Sequence, residues 1–362
     1  MQGEAMLIRK SDTHPLKEHN TRLVLKSLMS MKTATRRQLA QRTGLSQPTV
    51  NSIVQELENE KFAQPGNFAV SAGGRRPQCY TLDTDHLRAV AIRVLSKSLE
   101  YAVITIDGTV ILRNSWVISS TDTPVTALQS LLGTLIKQDD NIQVVGIGVP
   151  GVVGPGGALN AIPQFPGLKG VSLLHELEKS FDIPIYIEND MNLVALGSVT
   201  SDPGHAATTD IVFVHIGEGV GAGIVMGGQI ISGYSNFAGE IAYLLKPMET
   251  DKAPSELGNE ETIEYLLSKA NSINEQARLI AAMVVSIVCL INPPVISFGS
   301  TYASEEMLRH IRHECEKYLP VWTLPSFQLM ADEEAAYDRG LAALVRDVIV
   351  NQITRKLAAL QK

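Results

Sequence analysis

The chain has 362 residues, 44% of them hydrophobic, and a formal charge of −7; this length predicts two or three domains with real cores. The charge is uneven: residues 1–80 hold 12 Lys and Arg against 6 Asp and Glu, while the remainder hold 19 against 32. A basic head on an acidic body excludes a chain-wide polyanion binder and turns only the head toward nucleic acid.

Three cysteines, Cys79, Cys289 and Cys315, stand far apart, which excludes a disulfide framework and a cysteine zinc cluster. Cys289 lies in an apolar helical run and is expected in the core. No apolar leader and no stretch of membrane-span length is read, so a cytoplasmic protein with no membrane partner is expected.

Residues 1–16 are polar and are expected to be a loose arm. Residues 17–82 read as a winged helix-turn-helix. Leu23, Leu25, Leu28 and Met29 supply a first helix. Gln38, Leu39, Ala40 and Arg42 give a second, with Leu39 and Ala40 inward, and Gly44 supplies the positive φ that stops it. Ser46 is an N-cap for the third helix, and Pro48 fits its first turn. Val50, Ile53, Val54 and Leu57 repeat at helical spacing, so one face is core.

The opposite face carries Gln47, Thr49, Asn51, Ser52 and Gln55, side chains able to reach base edges in a major groove. An ordinary helical corner would show much of this. The flanks favour DNA: a third helix precedes the pair, and GNFAVSAGGRRPQCYTL follows as a two-stranded wing. Ser46, Gln47, Thr49, Asn51 and Ser52 are therefore the candidate recognition residues. Arg36, Arg37, Arg75 and Arg76 are the candidates for phosphate or minor-groove contact.

From residue 83 the pattern is α/β, with a first lobe expected over 83–198 and a second over 199–362. AVAIRVLS and LEYAVITIDGTVI read as a hairpin or meander. Pro124–Lys137 is a helix capped by Thr123, VVGIGVPG a buried strand, Leu173–Phe181 a helix, and IPIYIEND a strand with a helix from Asn192. The second half repeats the outline: IVFVHI is a strand, GEGVGAG a turn and GIVMGGQII a returning strand. Residues 260–290 read as helical, with INEQARLIAAMVVSIVCLINP a long apolar helix ending at Asn292-Pro293, PVISFGS as a strand, Glu305–Tyr318 as a helix, and 334–360 as a C-terminal helix. Two like halves imply a cleft, where ligands bind.

Asn189 and Asp190 end the strand IPIYI. An amide and a carboxylate there can share sugar hydroxyls, or the Asp can act as a base; a plain helix N-cap is the competing reading. Glu240 follows NFAG, where Gly239 admits a close ligand, and a solvated turn carboxylate is equally natural.

Taken together, GLSQPTVNSIVQELE, AGGRRP, GIGVPGVV, IPQFPGLKGV, YIENDMNLVALG, HIGEGVGAGIVMGGQIISG, NFAGEIAYL and NPPVISFGS resemble the ROK family of sugar-responsive repressors and sugar kinases, on its repressor branch. The resemblance implies an actin-like ATPase fold in two lobes behind the winged head. It implies that Asn189, Asp190 and Glu240 meet the sugar, together with Gly151 of GIGVPGVV and, less directly, Glu264 of ETIEYLLS.

The departures are as informative. Family kinases place a DxGGT turn where this chain runs from Arg93 to Lys97 without an acid or glycine. The second phosphate turn reads GEGVG, with Glu218 set against a polyphosphate. Both oppose ATP and phosphoryl transfer. The family's zinc pattern is also missing: Tyr243 takes the histidine position, and 247–262 has no cysteine.

The expectation is a non-catalytic regulator, a repressor of carbohydrate genes, with no resident cofactor. Its partners would be operator DNA, a small sugar effector and its own copies as a homodimer or homotetramer. Two rivals remain: a sugar kinase with a regulatory head, and a regulator whose body meets a protein partner.

Overall fold

The computed structural model describes residues 14–68, 76–160, 170–199, 209–217, 219–244, 262–299 and 304–359. The Gly73-Gly74 wing tip, Arg75, Glu218 and residues 245–261 lie outside the described residues.

The head opens with α1 (His14–Met31), so the chain is already helical inside the expected arm. The short β1 (Ala34–Thr35) leads into α2 (Arg36–Thr43). Thr35 closes a capping box with Gln38, whose side chain returns to the Thr35 N–H at 2.8 Å. Gly44 stops α2 at φ 72, and its N–H donates to the Ala40 carbonyl at 3.0 Å. Ser46 then caps α3 (Gln47–Asn59), which buries Val50, Ile53, Val54 and Leu57. Strands β2 (Ala63–Phe68) and β3 (Gln78–Leu82) form the wing, with β1 on the far edge of β3.

The first lobe begins with the meander β4 (Arg88–Val94), β5 (Ser98–Thr105) and β6 (Val110–Val117). Helix α4 (Pro124–Gln138), capped by Thr123, crosses to β7 (Ile142–Val149), which lies parallel to β4. A small ladder of β8 (Val152–Val153) and β9 (Leu159–Asn160) follows. Then come α5 (Leu173–Glu178), which stops short of Phe181, β10 (Ile185–Asn189) and α6 (Asp190–Val199). The sheet order is β10-β7-β4-β5-β6.

The second lobe repeats it. Strands β11 (Ile211–Ile216), β12 (Val220–Met226) and β13 (Gln229–Ile230) form a meander. After α7 (Ile263–Lys269) and α8 (Ile273–Leu290) come β14 (Val295–Gly299), α9 (Glu305–Cys315) and β15 (Ser326–Leu329). The order β15-β14-β11-β12-β13 matches the first sheet strand for strand. The chain closes with α10 (Glu333–Ala359).

Three local readings are corrected. Most of GEGVGAG is not a turn: β12 starts at Val220. Its glycines are there because α6 presses on the strand, and a Cβ at Gly223 would fall inside the Met191 carbonyl. GIVMGGQII is accordingly split by a Gly227-Gly228 turn at φ 59 and 72. The helical reading of 260–290 stands as α7 and α8, with Ser272 capping α8 afresh at the start of the apolar run INEQARLIAAMVVSIVCL. Cys289 is exposed, on the side of α8 turned away from Met283, Ile287 and Val288, while Cys79 and Cys315 are buried.

Helices α6 and α10 meet backbone to backbone between the lobes. A Cβ at Gly197 would strike the Ala336 carbonyl, and one at Gly340 the Leu193 carbonyl. From there α10 runs its 27 residues, about 40 Å, under the first sheet to the head. Val348, Ile353 and Leu357 join Leu25, Leu28 and Leu39 in one apolar core. Lys17 Nζ donates to the Leu357 carbonyl at 2.8 Å.

Candidate functional site

Two places carry polar groups in arrangements the fold itself does not need. The first is the outer face of α3. Ser46, Gln47, Ser52 and Gln55 are exposed, and Thr49 and Asn51 are partly so. Gln47 Nε2 donates to Asn51 Oδ1 at 3.2 Å, which holds two candidate base-reading side chains together. Arg37 and Arg76 are exposed. Arg36 is turned inward: its guanidinium lies 4.9 Å from the Tyr80 ring centre and donates to Gln55 at 3.3 Å. It therefore braces α2 against α3 and the wing base.

The second place is the cleft floor at the ends of β4, β7 and β10. Asn189 behaves as an N-cap: its Oδ1 accepts from the Met191 N–H at 2.8 Å and the Asn192 N–H at 3.2 Å. Its Nδ2 donates to the Gly151 carbonyl at 2.8 Å, tying the loop after β7 to α6. Gly151 needs its φ of 89 for that approach. The amide thus holds the cleft floor, and Asp190 beside it is the presented group.

Asp190 lies deep among protein atoms, and burial pushes its carboxyl up to about 6, partly opposed by a Met191 N–H and by the positive charges of His215 and Arg93. Glu240 is also raised, first by burial, then by the charges of Asp190 and Glu264. Glu264 accepts from the Val220 N–H at 3.3 Å, at the mouth of the turn between β11 and β12. Asp190, Glu240 and Glu264, which come from separate elements, therefore share one field.

Four further groups belong to this floor and were not singled out by the sequence. Arg93 pairs in register with Gly148. Its guanidinium sits 4.6 Å from the Tyr337 ring centre and 3.5 Å from Glu334. Tyr337 is buried, and its hydroxyl has no hydrogen-bond partner among the described residues. Only a glycine at 148 leaves room for it. His215 Nδ1 lies 3.1 Å from Glu333 Oε2, which raises the imidazole's pKa. A polar His in the apolar run IVFVHI was the available signal; Tyr337 and Glu333 gave none.

The nucleotide cradle expected of the family's kinases does not fit these residues. The Leu95 N–H, in the hairpin where a phosphate turn would lie, donates to Ser98 at 2.9 Å. Zinc does not fit either: Tyr243 packs tilted against Phe237, with ring centres 5.3 Å apart, and 245–261 contains neither Cys nor His. Among the described residues no group of three or more His, Cys, Asp or Glu is placed to hold a metal ion.

A winged head on a duplicated, cleft-bearing α/β body defines a class: DNA-binding regulators built on an actin-like, sugar-kinase-type scaffold. The ROK family profile matches residues 89–271 and a winged helix-turn-helix DNA-binding profile matches residues 17–62. The chain belongs to the ROK family. A relative from Caldicellulosiruptor sp. (strain Rt8B.4), provisionally named a xylose repressor, is 25% identical over 336 residues, 79% of this chain and 84% of that one. A crystal structure of a ROK family transcriptional regulator, a homolog of the E. coli Mlc protein, covers 95% of this chain and 99% of its own, with TM-score 0.74 and 18% identity. A ROK hexokinase from Thermus thermophilus covers 72% of this chain and all of its own (100%), with TM-score 0.57 and 17% identity.

Proposed function

We propose that this chain is a repressor that binds operator DNA through its head and releases it when a sugar or sugar derivative occupies the body's cleft. One observation carries the reading: an exposed recognition helix and the Asp190 cleft are joined by a single helix, α10. Glu333 at its start bonds His215 of the second lobe, and Leu357 near its end is buried in the head's core. A ligand that draws the lobes together moves α10 and resets the heads. The effector must bind one head arrangement better than the other.

Ser46, Gln47, Thr49, Asn51 and Ser52 read bases, and Arg37, Arg75 and Arg76 meet phosphate, with Arg36 bracing α2 against α3. Asp190, Glu240 and Glu264 take the sugar hydroxyls, held in place by Asn189 and Gly151. The working units are the head at 17–82 and the lobes at 83–198 and 199–362, with α10 shared among all three. A symmetric homodimer, or a tetramer of two dimers, would bind half-sites about one helical turn apart or a multiple of it. With operator DNA as its partner, the protein works in the cytoplasm.

The test is a gel shift on DNA upstream of its own gene, at fixed salt, with and without pooled sugars and sugar phosphates. A specific shift released by the pool supports the reading, and a shift that no sugar alters removes the sugar gate. Arg76→Ala should weaken binding to every sequence and reduce the salt slope by about 1; an unchanged slope removes Arg76 from the interface. A catalytic body is the second reading, favoured by an Asp190 carboxyl poised at about 6. ADP release with any hexose would establish it in place of the non-catalytic one.

A further inference from the structure

On one side of Asp190 the space is occupied by protein: Arg93 covers Tyr337, Tyr337 fills the space over Gly148, and His215 bonds Glu333.

The side that carries Glu240 is built differently. The turn that carries Glu240 is pressed onto β12: the Ala222 N–H donates to the Gly239 carbonyl at 2.8 Å, and Gly239 sits at φ 96. Within that turn the Glu240 N–H reaches the Phe237 carbonyl at 3.3 Å, and the Tyr243 N–H the Glu240 carbonyl at 3.2 Å. Phe237, Glu240 and Tyr243 are therefore held as one unit. The start of α7 is fastened to it where the Ile263 N–H donates to the Leu244 carbonyl at 3.0 Å, bringing Glu264 alongside.

Phe237 and Tyr243 remain 47% and 51% exposed, with their rings 5.3 Å apart and inclined by 46°. Tyr234, on the same loop, is fully exposed. Isolated exposed aromatics are ordinary, but a rigid pair beside two carboxylates is not. A pyranose ring has one chemistry that suits it. Its C–H face is apolar and lies flat on aromatic rings, while the hydroxyls at its rim reach carboxylates.

We propose that the effector is a glycoside of two sugar rings, a disaccharide, with one ring on Asp190 and the second stacked on Phe237 and Tyr243 between Glu240 and Glu264. This rests on the sugar-gated reading above and names the class of sugar.

The test is calorimetric titration of the full chain with xylose, glucose and galactose and with xylobiose, cellobiose, maltose, trehalose, lactose and sucrose. At least one disaccharide should bind about tenfold more tightly than the monosaccharide it contains. The double variant Phe237→Ala, Tyr243→Ala should erase that gain while leaving the monosaccharide Kd within about twofold. Tyr243→Trp should keep the gain, which separates stacking from a folding defect. Asp190→Asn should weaken both lengths alike.

If monosaccharides bind through Asp190 and no disaccharide gains, or if the gain survives the double alanine variant, the second-ring site is wrong and the sugar gate stands. If no sugar of either length binds, the gate itself is wrong and the second-ring site falls with it.

Discussion

The bonds that shape the recognition helix join near neighbours in sequence: Thr35 with Gln38, Gly44 with Ala40, Ser46 with Thr49. The cleft instead draws Arg93, Asp190, His215, Glu240 and Glu333 from five distant segments. The head is shaped locally and completed remotely, because its core closes only when Ile353 and Leu357 of α10 arrive. The cleft has little local shape and depends on backbone contacts between elements. A substitution in the head should therefore act gently and in place, while one at the lobe junction should disturb cleft and head together.

The hardest test of that contrast sets two glycines against each other. At Gly197 a Cβ would meet the backbone of Ala336, and neither helix can yield without parting from the other. Gly197→Ala should cost about 3 kcal/mol and weaken both sugar and DNA binding. At Gly44 there is nothing within 4 Å, only a φ of 72. Gly44→Ala should cost about 1 to 2 kcal/mol, the strain of the left-handed region, and leave sugar binding intact. Urea midpoints of the two variants measure this. Equal losses would mean that α6 and α10 are not in backbone contact.

Asp190 offers the next largest effect, and its sign is opposite. The folded carboxyl titrates at about 6, above its ordinary value of 3.8, because burial disfavours its charge. A raised acid costs the fold stability as pH climbs through that window, and costs nothing below it. Asp190→Asn should thus stabilise the ligand-free protein by on the order of 2 kcal/mol at pH 8, with the gain fading toward pH 4. Thermal melts across that range check it. A variant less stable at pH 8 would show that His215 and Arg93 outweigh burial. The stabilised protein should bind sugar worse, as expected where stability is given up for function.

In the head the matching change is smaller. Ser46 supplies one cap bond to the Thr49 N–H, at 3.3 Å on the surface. Ser46→Ala should cost about 1 kcal/mol and loosen the first turn of α3, where the candidate base contacts lie. Melting and DNA titration should move together. A loss of DNA affinity with no loss of stability would mean that Ser46 contacts DNA directly.

The same contrast explains what was legible in the sequence. Gly44, Ser46 and Val50 through Leu57 announce a helix, its cap and its core within a few residues, so the head was readable almost residue by residue. The cleft was readable only where a polar side chain interrupts a strand end, as at Asn189 and Asp190. Tyr337 was invisible because a tyrosine in a long helix signals nothing until Gly148 is known to lie under it. GEGVGAG misled because glycine promises a turn, and here it makes room for α6. The isolated glycines at 197 and 340, each inside a helical run, were the unused clue to the α6–α10 contact. Cys289 was misplaced because an apolar run does not say which side of a helix meets solvent.

The smallest effect tests how the head is held to α10. Lys26 and Asp347 form a 2.9 Å ion pair between α1 and α10, but their side chains are 51% and 54% exposed. Such a pair is screened by water and ions and is worth at most about 0.5 kcal/mol. Leu357, by contrast, is fully buried in the shared core, where truncation to Ala costs about 3 kcal/mol. Lys26→Ala should therefore leave stability and sugar-driven release of DNA unchanged, at low and high salt alike. If Lys26→Ala uncouples sugar from DNA, the signal crosses on this exposed charge and not through the apolar core that α10 shares with the head.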